Sequence, residues 1–266
     1  MNWKDKLFLN GKKSVLEALQ QEELRKLIAN VFLPSSQREL LSECERLKVP
    51  YSLKSKSWLS TLQGETNSKY RDVFAFLNSK PQLTFQELLF ELAKTDSPQL
   101  IVMVDKLQDS YNFGAILRTC VAAGVTYIIY STTNNVRLNS IILKTSQGYA
   151  LHANLIPVPN LANALEKLKK IGFWSYAASL REDSKCFSEV EFVPRSVLIL
   201  GNEGKGISCR VEKLADWRVT IPLKNGVSSL NVSVAGGILI YEWVKQNGAI
   251  LKDKSHTLNF EELQLK

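Results

Sequence analysis

Three short segments carry residues suited to chemistry. "NFGAILRTCVAAG" places an amide, Asn112, and a guanidinium, Arg118, on one helix beside Gly114, which permits close backbone approach. On spacing alone, Asn112 is equally an ordinary N-cap and Arg118 a solvated side chain. "GNEGKGIS", residues 201–208, follows the apolar run "SVLIL" and holds Gly201, Gly204, Gly206 and Glu203. A glycine turn after a buried strand presents backbone N–H groups to an anion, or surrounds an uncharged ligand with hydrogen bonds. "IPLKNGVSSLNVSVAGG" has a strand stop at Pro222 and a turn at Asn225-Gly226. Ser228, Ser229 and Asn231 then crowd a helix start, where one cap would suffice. The last two loops leave neighbouring stretches of one half-domain, so they could wall a single pocket.

Two familiar phosphate cradles fit poorly. A Rossmann fingerprint opens its fold and has an acid about 20 residues on. Here four or five expected strands precede the loop, and "IPLKNG" at that distance has no acid. A Walker A loop requires G-x-x-x-x-G-K-[ST], which "GNEGKGIS" lacks.

The elements that must position these segments follow from hydrophobic spacing. After Pro98, "LIVMV", "YIIY", "NLIPV", "FWSYAAS", "SVLIL" and "RVTIPL" read as strands. "NFGAILRTCVAAG", "NSIILKTSQG", "NLANALEKLKKIG" and the long "LNVSVAGGILIYEWVKQNG" read as helices, the third with an Asn cap and a Gly stop. This alternation predicts a parallel sheet covered on both faces. Gly236 and Gly237 each cost about 1 kcal/mol against Ala inside the closing helix, which suggests that something packs closely there, from this chain or a partner. Before residue 80 the chain reads as a small α/β unit. It has helices over "SVLEALQQEELRKLIA" and the Ser-capped "SSQRELLSECERLKV", with strands at "NVFLP", "VPYSLKS" and "DVFAFL". The expected divisions are 1–80, a linker at 81–98 that holds one amphipathic helix between Pro81 and Pro98, a main domain at 99–248 and a tail at 249–266.

The 266 residues carry a net charge of +8, and residues 1–80 hold 14 Lys and Arg against 9 Asp and Glu. This excess points to an anionic partner, nucleic acid first. The four cysteines form no C-x-x-C pair and only two histidines are present, so no metal is expected. "MNWKDKLFLNGKK" lacks a secretory apolar segment, and no run reaches ~18 apolar residues. The expectation is a cytoplasmic protein that does not enter a membrane.

Together, "NFGAILRT", "LILGNEGKGI" and "IPLKNGVSSLNVSVAGGI" resemble, in order and spacing, the three motifs of the SpoU family of RNA ribose 2′-O-methyltransferases, within the SPOUT superfamily. The likeness covers residues 100–247, and "KTSQGYA", with Ser146 and Gly148, resembles the family's segment between the first two motifs. "LNGKKSVLEAL" is similar to the opening of the L30e-like RNA-binding domain of the RlmB branch. Where that branch often has His-Gln-Gly, this chain reads "NSKYRDV".

The resemblance implies an α/β parallel-sheet domain tied in a trefoil knot, preceded by a small L30e-like RNA-binding unit. It implies a homodimer with its active site at the subunit interface. It also implies S-adenosyl-L-methionine held at Gly201, Ile221 and Leu230, with Asn202, Gly204 and Gly206 of the same loop. Arg118, Asn112, Glu203, Ser229 and Asn231 become the catalytic candidates: Arg118 acts on the ribose hydroxyl or an RNA phosphate, Asn112 orients Arg118 or the ribose, and Glu203 binds substrate or fixes Arg118. Lys12, Lys13, Lys54 and Lys56 are candidates for RNA phosphate contact. The implied substrate is a guanosine ribose of large-subunit ribosomal RNA. Alternatives are a transfer-RNA substrate, a non-catalytic RNA-binding or ribosome-assembly role, and a Rossmann-type oxidoreductase.

Overall fold

The computed structural model describes residues 7–55, 57–58, 73–78, 83–133 and 135–248. Lys56, most of "NSKYRDV" and the expected tail lie outside these residues.

An inner strand of the larger sheet, β5 (Gln99–Val104), is buried from Leu100 to Val104, as expected of a strand covered on both faces. Around it lie β6 (Tyr127–Ser131), β7 (Asn154–Val158), β8 (Trp174–Ala178), β9 (Lys185–Cys186), β10 (Arg195–Leu200) and β11 (Trp217–Thr220), in the order β7-β6-β5-β10-β8-β11-β9. Every pairing in this sheet is parallel. Helices α5 (Ser110–Ala122), α6 (Ser140–Thr145), α7 (Leu161–Lys170), α8 (Cys209–Leu214) and α9 (Val232–Asn247) accompany it. Two buried clusters result: one contains Leu100, Val102, Phe113, Leu200 and Trp243, the other Ile101, Met103, Leu165 and Ile199. Alternate residues of β5 thus feed opposite layers, as the period of two requires.

The path of the last third of the chain builds the loops of interest. Strand β10 pairs with β8 on one side, and β11 then returns to the other side of β8. Helix α9 comes back against β10, where a Cβ at Gly236 would lie 2.8 Å from Leu200 Cδ1. The gap at Gly236 is therefore filled from the same chain. Among the described residues, a Cβ at Gly237 would meet only Thr119 Cγ2, at 3.7 Å. This return past strands already in place accords with the threaded topology expected from the motifs.

The smaller sheet has β1 (Phe8–Asn10), β2 (Ile28–Leu33), β3 (Tyr51–Leu53) and β4 (Phe74–Leu77) in the order β1-β4-β2-β3, with β2 and β3 parallel and the other pairs antiparallel. Helices α1 (Lys12–Gln20), α2 (Glu22–Arg25) and α3 (Arg38–Arg46) flank it.

Some local expectations shift. The single helix expected from Ser14 onward breaks at Gln21, which is extended, and Ile28 joins β2 opposite Leu77. The Ser cap of α3 is absent. Gln37 occupies the cap position with no side-chain bond, because residues 34–37 close a turn in which Gln37 N–H donates to the Pro34 carbonyl at 3.0 Å. The linker segment holds the amphipathic helix expected there, α4 (Phe85–Leu92), closed by a capping box between Thr84 and Glu87. Leu88 and Leu92 of α4 are buried in the larger unit's core. Strands β1 and β9 and helix α8 are additions to the expected elements.

Candidate active site

A cleft of about 460 Å³ opens beside the C-terminal ends of β8, β10 and β11. In open α/β sheets this is the edge where ligands bind. Gly201, Asn202, Glu203, Gly204 and Gly206 line it, together with Ile221, Ser229 and Leu230. Its volume suits a nucleoside-sized molecule. Apolar Val219, Ile221, Leu223, Leu230 and Leu239 offer faces for a flat ring, and the glycine loop adds backbone polar groups.

Sterics and hydrogen bonds hold the glycine loop. A Cβ at Gly201 would lie 2.3 Å from the Gly206 carbonyl carbon and 2.4 Å from Ile207 N. Gly206, at φ +64°, turns the loop so that Asn202 N donates to Gly206 O at 3.0 Å and Gly206 N donates to Asn202 O at 2.9 Å. Asn202 Oδ1 accepts from the backbone N–H groups of Gly204 and Lys205, and its Nδ2 donates to Lys106 O. Asn202 is thus a strut inside the loop. Buried Asp105, at the end of β5, accepts from Ser208 N at 2.7 Å and fixes the loop's exit.

The polar candidates meet at one edge of the cleft. Asp109, not Asn112, caps α5, accepting from Tyr111 N at 2.8 Å. The helix therefore starts at Ser110, and Asn112 is free of capping. Its Nδ2 donates to Glu203 Oε1 at 2.6 Å, and its Oδ1 accepts from Asn231 Nδ2 at 2.9 Å. Asn231 also caps α9, accepting from Ser233 N. One amide thereby ties the earlier helix, the glycine loop and the start of the closing helix. Ser229 lines the cleft and is exposed. Asn225 and Gly226 both have positive φ, 57° and 71°, the conformation their turn signal called for.

Arg118 stands apart from this network. Six residues beyond Asn112 it is about 240° round the helix and about 9 Å along it. It is exposed, and no hydrogen bond links it to Asn112, Glu203 or Asn231. Its electrostatic neighbour is Tyr149, whose pKa is raised chiefly by a hydrogen bond to Glu17 of α1, and Arg118 opposes that shift. In this chain Glu203 fixes Asn112, not Arg118.

Three polar cleft residues lie outside the motif segments. Ser179, Arg181 and Glu212 line the same space. Nothing in their spacing marks them, because the first two follow β8 and the third sits on α8. Asp105 was more visible, as an acid closing an apolar strand.

Of the basic candidates, Lys12 pairs with Glu39 at 2.5 Å and Lys54 Nζ lies 4.7 Å from the centre of the Trp58 ring. Lys13 is exposed at the first turn of α1, with no ion pair among the described residues. No group of three or more His, Cys, Asp or Glu side chains able to hold a metal occurs among the described residues. No described helix is long and apolar enough to cross a membrane. Burial raises the thiols of Cys44 and Cys120 to about 11 and about 12, so both stay protonated near neutrality.

Comparison with known proteins gives the site a family. Residues 99–241 match the model of the SpoU rRNA methylase family, and residues 8–69 match the model for RNA 2′-O ribose methyltransferase substrate binding. An uncharacterized tRNA/rRNA methyltransferase of Mycoplasma genitalium is 35% identical over 88% of this chain and 96% of its own length. The 23S rRNA (guanosine-2′-O-)-methyltransferase RlmB of Coxiella burnetii is 31% identical over 80% of this chain and 83% of its own. Among solved structures, the SpoU methyltransferase AviRb of Streptomyces viridochromogenes, in complex with the cofactor AdoMet, superposes with a TM-score of 0.73. It is 20% identical and covers 92% of this chain and 91% of that one, so the likeness is one of fold. With both matched regions and the loop geometry in agreement, the chain belongs to the SpoU rRNA methylase family and is an S-adenosylmethionine-dependent RNA methyltransferase.

Proposed function

We propose that the protein methylates the 2′-oxygen of a guanosine ribose in large-subunit ribosomal RNA, with the methyl donor in the cleft behind Gly201–Gly206. The single observation that carries the placement is the Glu203–Asn112–Asn231 chain at the edge of that cleft. RlmB relatives from two organisms, at 31% and 36% identity, favour the ribosomal guanosine. The backbone groups of Gly201, Ile221 and Leu230 hold the donor, with Gly204 and Gly206 shaping the loop and Asn202 bracing it from within.

S-adenosylmethionine supplies a methyl group already activated by its positive sulfur. The residues of this chain must therefore orient the ribose hydroxyl and favour its nucleophilic form. Both ends of the Asn112 amide are spent on protein partners, so it works as a clamp that holds Glu203 and Asn231 in register. Ser229 contributes a hydroxyl to the wall. Arg118 offers a planar fork of N–H donors and no acceptor. It binds the RNA phosphate and stabilises negative charge developing on the 2′-oxygen.

The position of Arg118, away from its own chain's network, fits a site completed in a homodimer. Tyr111, Val234 and Tyr241 are 61%, 52% and 50% exposed. Val234 and Tyr241 are seven residues apart on one face of α9, which packs on α5, the helix of Tyr111 and Arg118. That apolar face is the proposed dimer contact. The N-terminal unit presents Lys12, Lys13 and Lys54 to the RNA. Cations at the first turn of α1 run against the helix dipole. Lys12 is paired with Glu39, so Lys13 is the cation that adds to the positive end of the helix dipole and suits a phosphate.

The test maps 2′-O-methyl groups in ribosomal and transfer RNA from cells with and without the protein, beside methyl transfer by the purified chain. The expected result is one ribosomal guanosine whose mark requires the protein. An Arg118→Ala protein should bind donor normally and lose at least 100-fold in methyl transfer, the scale of one oxyanion donor. Full transfer by that variant would end the role given to Arg118.

A further inference from the structure

On the cleft wall contributed by β8 and α8, Glu212 is 6% exposed and carries two bonds. Its Oε1 accepts from Ser179 Oγ at 2.7 Å, and its Oε2 accepts from Arg181 Nε at 2.9 Å. A buried carboxylate is costly unless paired and hydrogen-bonded, so this arrangement requires a cation here. Arg181 itself is largely in solvent, its side chain 58% exposed. Only Nε is used on Glu212, which leaves both terminal guanidinium nitrogens available, and Arg181 lines the cleft. The guanidinium is aimed from one end and presents its two-pronged end to a ligand, the geometry suited to a carboxylate.

Charge identifies which part of a ligand this guanidinium meets. The tail of the donor bears a sulfonium, an ammonium and one carboxylate. Among the cleft-lining residues the cations are Arg181 and Lys205, and the acids are Glu203 and Glu212. Arg181 is the cation held in place by a buried acid; Lys205 is exposed on the glycine loop and makes no ion pair among the described residues. We infer that Arg181, aimed by Glu212 and Ser179, binds the carboxylate of the methyl donor and sets the enzyme's preference for a donor with an intact amino-acid tail. This rests on the reading that the cleft holds the donor.

The test compares the full-length wild type with Arg181→Gln, titrated with S-adenosylmethionine and with its decarboxylated form, which keeps the sulfonium and amine. The variant should bind S-adenosylmethionine about 10-fold or more weakly, the scale of a lost charge-assisted hydrogen bond. It should bind the decarboxylated donor within about twofold of wild type. At saturating S-adenosylmethionine, kcat should be unchanged while KM for the donor rises. Equal weakening toward both donors, or none toward either, would overturn the assignment. If Gly201→Ala binds both donors as tightly as the wild type does, the donor lies outside this cleft and the underlying reading falls first. Should Arg181→Gln melt early because Glu212 loses its partner, Arg181→Lys keeps a cation there. It must show the same donor dependence at smaller amplitude, and its absence also refutes the proposal.

Discussion

Replacing Gly201 by Ala tests the architecture of the cleft more directly than any polar change. The added Cβ would sit 2.3 Å from Gly206 C, 2.4 Å from Ile207 N and 2.7 Å from Gly206 O. All three are backbone atoms, so no rotamer change relieves the clash. Overpacking of this kind costs about 1–3 kcal/mol. Relief by opening the loop forfeits the reciprocal Asn202–Gly206 pair of hydrogen bonds, at about 1 kcal/mol each. The expected loss is therefore about 2–3 kcal/mol of stability, with the loop either strained or rebuilt away from its donor-binding shape. Gly206→Ala is the matched control. Gly206 has φ +64° and, among the described residues, nothing within 4 Å of its would-be Cβ, so only the left-handed conformation is penalised, at about 1–2 kcal/mol. Urea unfolding gives the stabilities, and calorimetric titration with S-adenosylhomocysteine gives the affinity. Gly201→Ala should be the less stable of the two and should bind the ligand at least 10-fold more weakly than wild type, a factor worth about 1.4 kcal/mol. A Gly201→Ala protein as stable as Gly206→Ala, with normal affinity, would show that the loop does not close on itself as described.

Two further outcomes are expected. Gly237→Ala should raise stability by about 0.5–1 kcal/mol through helix propensity, because its Cβ meets only Thr119 at 3.7 Å; a fall measured by thermal unfolding in dilute monomer contradicts that packing. Asp216 is partly desolvated, which raises its pKa, but Lys169 at 2.7 Å and the Ser175 N–H and hydroxyl outweigh this and hold it below the ordinary value of 3.8. A depressed folded pKa contributes stability that is present above the unfolded value and lost as pH falls through the folded one. Asp216→Asn should thus cost about 1–3 kcal/mol near pH 7, and the gap to wild type should close as pH drops below about 4. A gap constant with pH would refute the ion pair's contribution.

The main sheet was legible because its strands are apolar runs bounded by turn residues, and β5, β6, β7 and β10 lie where their hydrophobicity places them. Asn139 and Asn160 cap α6 and α7 through local bonds that a sequence displays. The smaller unit was harder to read. Ile28 has the spacing of a helix but pairs with Leu77 of β4, forty-nine positions away, and sheet pairing overrides local propensity. Likewise α4 sits between prolines in a stretch that resembles a linker, and only burial of Leu88 and Leu92 against the larger core makes it part of that unit.

Within the site, the sequence by itself determined the three motifs, the left-handed turn at Asn225-Gly226 and the identity of the amides and acid that line the cleft. Those depend on residue type and short spacing, which are local quantities. Only the tertiary structure decided that Asn112 holds Glu203 and Asn231 while Arg118 turns elsewhere, that Gly236 accommodates Leu200, and that Glu212 aims Arg181. Those contacts join segments 31 to 119 residues apart. The return of β11 beyond β8 brings such segments within hydrogen-bond reach, and no local propensity encodes that closure.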